Sequence, residues 1–185
     1  GSSVVPAGIQ LIGFDTETTS PVRAGVFQTD EANIVGYSVS TAKGRASYTP
    51  VTDRIDVATD SGAVQTQLTR LLQAEGIVKV CHNAKFELKV LQNTFGLNLI
   101  NYHDTCLAAY VLGEPRTGLK LLTKQLLGID AITYKEVTKG RDMADVPVDE
   151  IVPYAAADAD HTLQLWYLLQ PRLIKEGLWS VYNDI

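Results

Sequence analysis

Four carboxylates sit in apolar surroundings at widely separated points of this chain. Asp15 and Glu17 lie within Phe14-Asp15-Thr16-Glu17-Thr18-Thr19, Glu87 closes His82-Asn83-Ala84-Lys85-Phe86-Glu87, and Asp158 ends Tyr154-Ala155-Ala156-Ala157-Asp158. Like charges are costly to bury together unless something positive lies between them. Hard oxygen donors suit magnesium or manganese, so divalent ions are the simplest counter-charge. Each segment alone has a plainer reading. Asp15 could end a strand before a polar turn, Glu87 could snorkel to solvent or pair with Lys124 or another base, and a Tyr and an Asp four residues apart recur by chance. Three such segments, in this order and on suitable elements, outweigh those readings and predict a metal site.

The elements must bring these residues together. On a strand, residues two apart share a face, so Asp15 and Glu17 project together. Gly13 has the same parity and leaves room beside them for a ligand or a neighbouring helix. Residues 8–15 are apolar at both parities, which predicts a central strand buried on both faces. Residues 34–41 and 45–51 alternate more openly around a Lys43-Gly44 turn, so the first three strands are expected to form an antiparallel meander. A short strand is expected at 77–81.

Helices are expected over 61–75, 84–95, 104–112 and 119–127, each followed by a glycine, with Asp104 capping the third. In the second, Glu87 lies on the edge of a stripe formed by Ala84, Leu88, Leu91 and Phe95. The last helix is expected from about 148 to 166, with Pro171 as a break or kink. There Tyr154 and Asp158 share a face, the alanines between them allow close approach to the sheet, and Asp160 is expected on another, exposed face. Residues 130–147 read as the longest irregular stretch. Their Lys135, Lys139 and Arg141 could touch phosphates or stay in a solvated loop. Strands first, then alternating helices and strands, predict an α/β fold with a mixed central sheet and helices on both faces.

A chain of 185 residues, 45% hydrophobic, fits a single domain with a sizeable core. Gly1-Ser2-Ser3 reads as a tag remnant, leaving residues 4–185 as the domain. No stretch reads as a signal peptide or membrane span, so a soluble protein is expected. Cys81 and Cys106 form no Cys-x-x-Cys pair, which predicts reduced thiols in a cytoplasmic protein and disfavours zinc. A net charge of −5 argues against a broad basic face for duplex DNA. Contact with nucleic acid would have to be local or supplied by a neighbouring domain.

Over nearly its whole length the chain resembles the DEDDy class of 3′→5′ exonucleases, which share a ribonuclease-H-like three-layer fold. The segment 14–19 looks like the first motif of that class, His82-Asn83 through Glu87 the second, and Tyr154-x-x-x-Asp158 the third. Within the class it is most similar to the proofreading domain of family A, DNA polymerase I type, polymerases. Supporting phrases are Tyr48-Thr49-Pro50-Val51, Asp104-Thr105, Thr133-Tyr134-Lys135-Glu136 and Asp158-Ala159-Asp160-His161-Thr162-Leu163. Residues 178–185 resemble the junction at which the polymerase domain would begin, which implies a domain excised from a larger polymerase. The second motif usually ends in Asp, where this chain has Glu87, one methylene longer.

The resemblance implies a two-metal-ion hydrolase, with Mg2+ or Mn2+ roughly 3.5–4 Å apart, that releases nucleoside monophosphates from single-stranded or frayed DNA 3′ ends. It implies that Asp15, Glu17 and Asp158 hold the ion that activates water and that Asp15 and Glu87 serve the ion beside the leaving 3′-oxygen. Tyr154 would orient the water, Asn83 would contact the terminal nucleotide, and the backbone from Thr16 to Thr18 would approach the 3′-hydroxyl; His82 is as well explained by structure as by catalysis. It further implies a linked polymerase domain, a monomer, no membrane, and a bacterial-type cytoplasm or an organelle of bacterial origin. Two alternatives stand beside it: an RNA-trimming exonuclease of the ribonuclease D type, and a degenerate domain kept for structure or single-strand binding.

Overall fold

The computed structural model describes residues 10–52 and 58–185. Residues 8 and 9 of the expected first strand, and the leading tripeptide, lie outside them. Strand β1 (Gln10–Thr18) is buried along almost its whole length. The other strands of its five-stranded sheet are β4 (Ile34–Ala42), β5 (Arg45–Pro50), β6 (Ile77–Cys81) and β7 (Tyr102–Asp104), in the order β5-β4-β1-β6-β7. β1 is therefore central, as its two-sided apolar pattern requires. It pairs antiparallel with β4, which pairs antiparallel with β5, and parallel with β6, which pairs parallel with β7.

The three long strands thus form the expected antiparallel set, with one addition. A two-stranded hairpin, β2 (Val22–Arg23) and β3 (Val26–Phe27), intervenes between β1 and β4. Its turn residues Ala24 and Gly25 both have positive φ, 50° and 78°, the conformation that two-residue hairpin turns need. Only the glycine signals this in the sequence, and the strands are too short for a readable alternation.

Helices α1 (Ser61–Gln73) and α2 (Ala84–Phe95) cover one face of the sheet, packing Leu68, Leu72, Val90 and Leu91 against Phe14 and Tyr37. The other face carries α3 (Thr105–Val111), α4 (Leu119–Leu122), α6 (Val148–Lys175) and α7 (Trp179–Asp184). There Leu122, Leu163, Trp166, Leu169 and Tyr182 pack with Leu11 and Val80. The alternation of Leu11 and Phe14 between the two cores follows from strand periodicity. A five-residue π turn, Thr123–Leu127, continues α4 up to the left-handed Gly128, so the expected helix over 119–127 is one continuous coil. Among the described residues no helix is long and apolar enough to cross a membrane.

Two expectations are corrected. Pro171 does not break the last helix: α6 runs for 28 residues and contains both Pro153 and Pro171. A helical proline costs about 3 kcal/mol, but Leu169 and Leu173 on either side of Pro171 are fully buried, and each contributes roughly 1.5–3 kcal/mol. Residues 130–147 are not irregular throughout. Thr133 and Glu136 form a reciprocal capping box that starts α5 (Tyr134–Thr138), and Val137, Met143 and Val146 pack under the start of α6 against Ile151 and Tyr154.

α6 lies against β1 at Gly13. A Cβ added there would stand 2.0 Å from the Ala159 carbonyl oxygen and 3.1 Å from the Leu163 Cβ. Backbone cannot yield as a flexible side chain can, so Gly13→Ala is expected to destabilise the protein by about 2 kcal/mol or more. Urea denaturation measures this, and an unchanged midpoint would show that the helix can lift off without cost.

Candidate active site

The approach over Gly13 sets the site. Asp15 and Glu17 leave β1 on the face that meets α6, and Asp158 descends from α6 one residue before Ala159. Ligand oxygens of these three carboxylates lie within 4.8 Å of one another. Glu17 and Asp158 are only 6% and 4% exposed. Burial pushes the carboxyls of Asp15 and Glu17 well above the usual range, and neighbouring carboxylates push both further. Asp158 is raised by burial too, opposed by Lys120 and by a hydrogen bond from the Tyr154 hydroxyl. Tyr154 is itself pushed up, chiefly by burial, so it stays a neutral donor.

Glu87 does not belong to this three-carboxylate group. Thr16 has the opposite strand parity to Asp15 and Glu17, and its hydroxyl donates to Glu87 Oε2 at 2.7 Å. Glu87 therefore reaches the site from the α2 side of β1, close enough to raise Asp15 by its charge. It is 2% exposed, and burial lifts its carboxyl to about 8 despite the Thr16 bond. The alternative of pairing with Lys124 is not realised, since Lys124 bridges to Asp130 on the surface.

The residues around α2 are held by Asp104. Its carboxylate accepts from the backbone N–H groups of Asn83 (2.9 Å) and Ala84 (2.8 Å) and caps α3 through Cys106 (2.8 Å). One side chain thus orients the starts of two helices. Asn83 is exposed and left-handed, φ 66°, a conformation that asparagine tolerates better than most residues. His82 Nδ1 lies 2.8 Å from the Thr105 hydroxyl, which also bonds to the Cys81 carbonyl, and the ring makes a further bond to the Thr117 backbone. Those contacts give His82 a structural employment.

Asp160 corrects another expectation, being 9% exposed rather than on an open face. It accepts from Ser40 Oγ (3.0 Å), Gly44 N (2.9 Å) and Gln164 Nε2 (2.7 Å), tying α6 to the β4–β5 turn two residues beyond Asp158. Lys139 and Arg141 pair with Glu150. The residue that sequence reasoning missed is Lys120, whose ammonium bridges to Asp158 and lies 4.3 Å from the centre of the Tyr154 ring. The only signal was a lysine flanked by leucines on a helix facing the last one.

Beside the carboxylates, Thr16, Glu17, Thr18, Ser20, Val22, Phe27, Phe86 and Tyr134 line a groove of about 410 Å³. The hairpin supplies Val22 and Phe27. Tyr134 is fixed by a hydroxyl–hydroxyl bond to Ser20, whose N–H donates to Asp142 at 2.7 Å. Thr18 is nearly buried in this wall.

The fold is that of the ribonuclease-H-like exonucleases. Escherichia coli RNase D superposes with a TM-score of 0.71 at 20% identity, covering 95% of this chain and 43% of that one. Brucella melitensis NrnC with bound Mg2+ gives 0.72 at 22%, covering 95% and 79%. A family model described as 3′–5′ exonuclease matches residues 5–174, and the chain belongs to that family, the exonuclease domain of family A DNA polymerases. DNA polymerase I of Rhizobium leguminosarum is 35% identical over 95% of this chain, and that of Chloroflexus aurantiacus 36% over 93%. The chain spans 19% and 18% of those two relatives, about a fifth of their length.

The buried groups set the pH dependence of stability in EDTA-treated protein. His82 and His103 are lowered by burial to about 4, so stability rises with pH from about 4 to 6.5 and these rings add no slope above that. Glu87 keeps its proton in the folded state up to about 8, whereas the unfolded chain loses it near 4.5, so stability falls as pH rises across that window. Between pH 6.5 and 8 the melting temperature should therefore fall. Glu87→Gln should flatten it, and an unaltered slope would mean that Glu87 is ionised throughout.

Proposed function

We propose that this domain removes nucleoside monophosphates from the 3′ end of single-stranded or frayed DNA in a divalent-metal-dependent reaction, within a longer protein that carries a polymerase domain. The observation that carries the reading is the meeting of Asp15 and Glu17 on β1 with Asp158 on α6, far apart in sequence, within one ion's reach. Their chemistry fits Mg2+ or Mn2+, since hard carboxylate oxygens are what those ions take. Asp15, Glu17 and Asp158 would hold one ion, and Asp15 with Glu87 a second, Glu87 from across the strand. Bound there, such ions supply Lewis acidity to a phosphodiester and lower the pKa of water.

The protein's own groups do the rest. Tyr154, neutral and hydrogen-bonded to Asp158, orients the attacking water rather than deprotonating it. The water oxygen bonds to phosphorus and the bond to the preceding 3′-oxygen breaks. That oxygen leaves with the electron pair and takes up a proton, while the water loses one to solvent. The groove offers Phe27, Phe86 and Tyr134 to the terminal sugar and base, with the Thr16 to Thr18 backbone in its wall, and the exposed Asn83 would contact the terminal nucleotide. A duplex end would first have to unstack to reach the groove, at a cost of a few kcal/mol per step. Mismatched termini pay least of that cost, so they are cut first. Similarity to DNA polymerase I proteins supports the DNA reading over the RNA one.

A 5′-labelled single-stranded DNA oligonucleotide with Mg2+, Mn2+ or EDTA tests this beside its RNA counterpart. The expected result is a metal-dependent ladder shortening from the 3′ end of DNA. Asp15→Ala should slow it by more than about 100-fold, beyond the 10–100-fold that changes around a metal's ligands produce. Faster shortening of RNA would transfer the assignment to RNA trimming. No shortening of either by folded protein would leave a binding or structural module.

A further inference from the structure

Lys120 stands where the proposed chemistry would happen, yet neither the ligand set nor the water-orienting role uses it. Among the described ion pairs, Lys120 to Asp158 is the one that reaches the carboxylate cluster. The same ammonium lies 4.3 Å from the centre of the Tyr154 ring, over its face, a placement worth about 0.5–2 kcal/mol. Tyr154 in turn donates its hydroxyl to Asp158. Lys120, Tyr154 and Asp158 therefore form a closed triangle of contacts.

The stem is anchored and the head is free to move. Leu119 and Leu122 pack into the core shared by α3 and α6, fixing the backbone of α4. The Lys120 side chain is 27% exposed, against 6% for Asp158, so it enters the cluster from the open side. A lysine head is a compact charge on four rotatable methylenes and can change partners without moving its helix.

Charge balance decides what the change of partner must be. Asp15, Glu17 and Asp158 carry up to three negative charges, which one ammonium offsets only in part. Two divalent ions would bring four positive charges to the carboxylate that Lys120 holds. Those charges would repel the ammonium from Asp158, and the phosphodiester being cut would bring a new anion to the same place. The geometry points to Lys120 as a resident cation that stabilises the cluster until ions arrive, and then shifts from Asp158 to a non-bridging oxygen of the scissile phosphate as a catalytic residue. This inference rests on the exonuclease reading above.

Lys120→Met and Lys120→Arg, compared with the unaltered protein, test both halves. Direct Mn2+ titration, followed by the electron paramagnetic resonance of the free ion, should show Lys120→Met binding Mn2+ about 5-fold or more tightly, because no ammonium has to be displaced. Its melting temperature should drop in EDTA and be restored by Mn2+, which also verifies folding. Single-turnover cleavage at saturating Mn2+ should slow on the order of 100-fold with little change in KM, and Lys120→Arg should recover part of it. Equal Mn2+ affinity and equal cleavage in Lys120→Met would overturn the role of Lys120 and leave the exonuclease reading standing. Unaltered protein that neither binds Mn2+ nor cuts would overturn both.

Discussion

The close approach of α6 to β1 is the constraint on which the site depends. Carboxylates on a strand and on a helix can share an ion only if the two backbones come within one side chain's length, and here the Ala159 carbonyl occupies the space a Cβ on Gly13 would need. Ala159 is fully buried there, and Ala155, one turn earlier, is fully buried among Val35, Met143 and Ile151. Larger residues would lift the helix and carry Asp158 away. Small residues on both sides thus convert a packing contact into a chemical one.

That contact concentrates negative charge where water is scarce. Burial and mutual repulsion both oppose ionisation of Asp15 and Glu17, and the protein offers limited compensation: Lys120 and the Tyr154 hydroxyl at Asp158, and Thr16 at Glu87. An arrangement so incompletely neutralised is poorly suited to a purely structural part, since an apolar cluster of equal volume would be at least as stable. Its chemistry fits the proposed divalent cations.

Precision comes from neutral hydrogen-bond donors placed around the cluster. Asp104 gathers N–H groups from the starts of both α2 and α3, and Asp160 ties α6 to the β4–β5 turn. Both carboxylates are spent on backbone, hydroxyl and amide partners, outside the three-carboxylate cluster. They hold the helices that carry Glu87 and Asp158 in register with β1, so acids of the same type perform two distinct jobs a few residues apart.

Much of this was legible in the chain itself. The two-sided apolar run ending in Asp15 and Glu17, the parity of Gly13, the glycine stops and the Tyr154–Asp158 spacing are local patterns, and local periodicity dictates which face a residue occupies. The motifs at residues 14–19, 82–87 and 154–158 also specified the exonuclease family. Only the tertiary structure decided that Glu87 meets Thr16 on the far side of β1, that Asp160 is buried, that α6 continues through Pro171, and that Lys120 rather than Lys124 turns inward. Those outcomes depend on where whole elements lie relative to one another. A charged side chain's partner is set by distances across the fold, and a proline's cost is overruled only by burial that packing supplies; neither is encoded in the neighbouring residues.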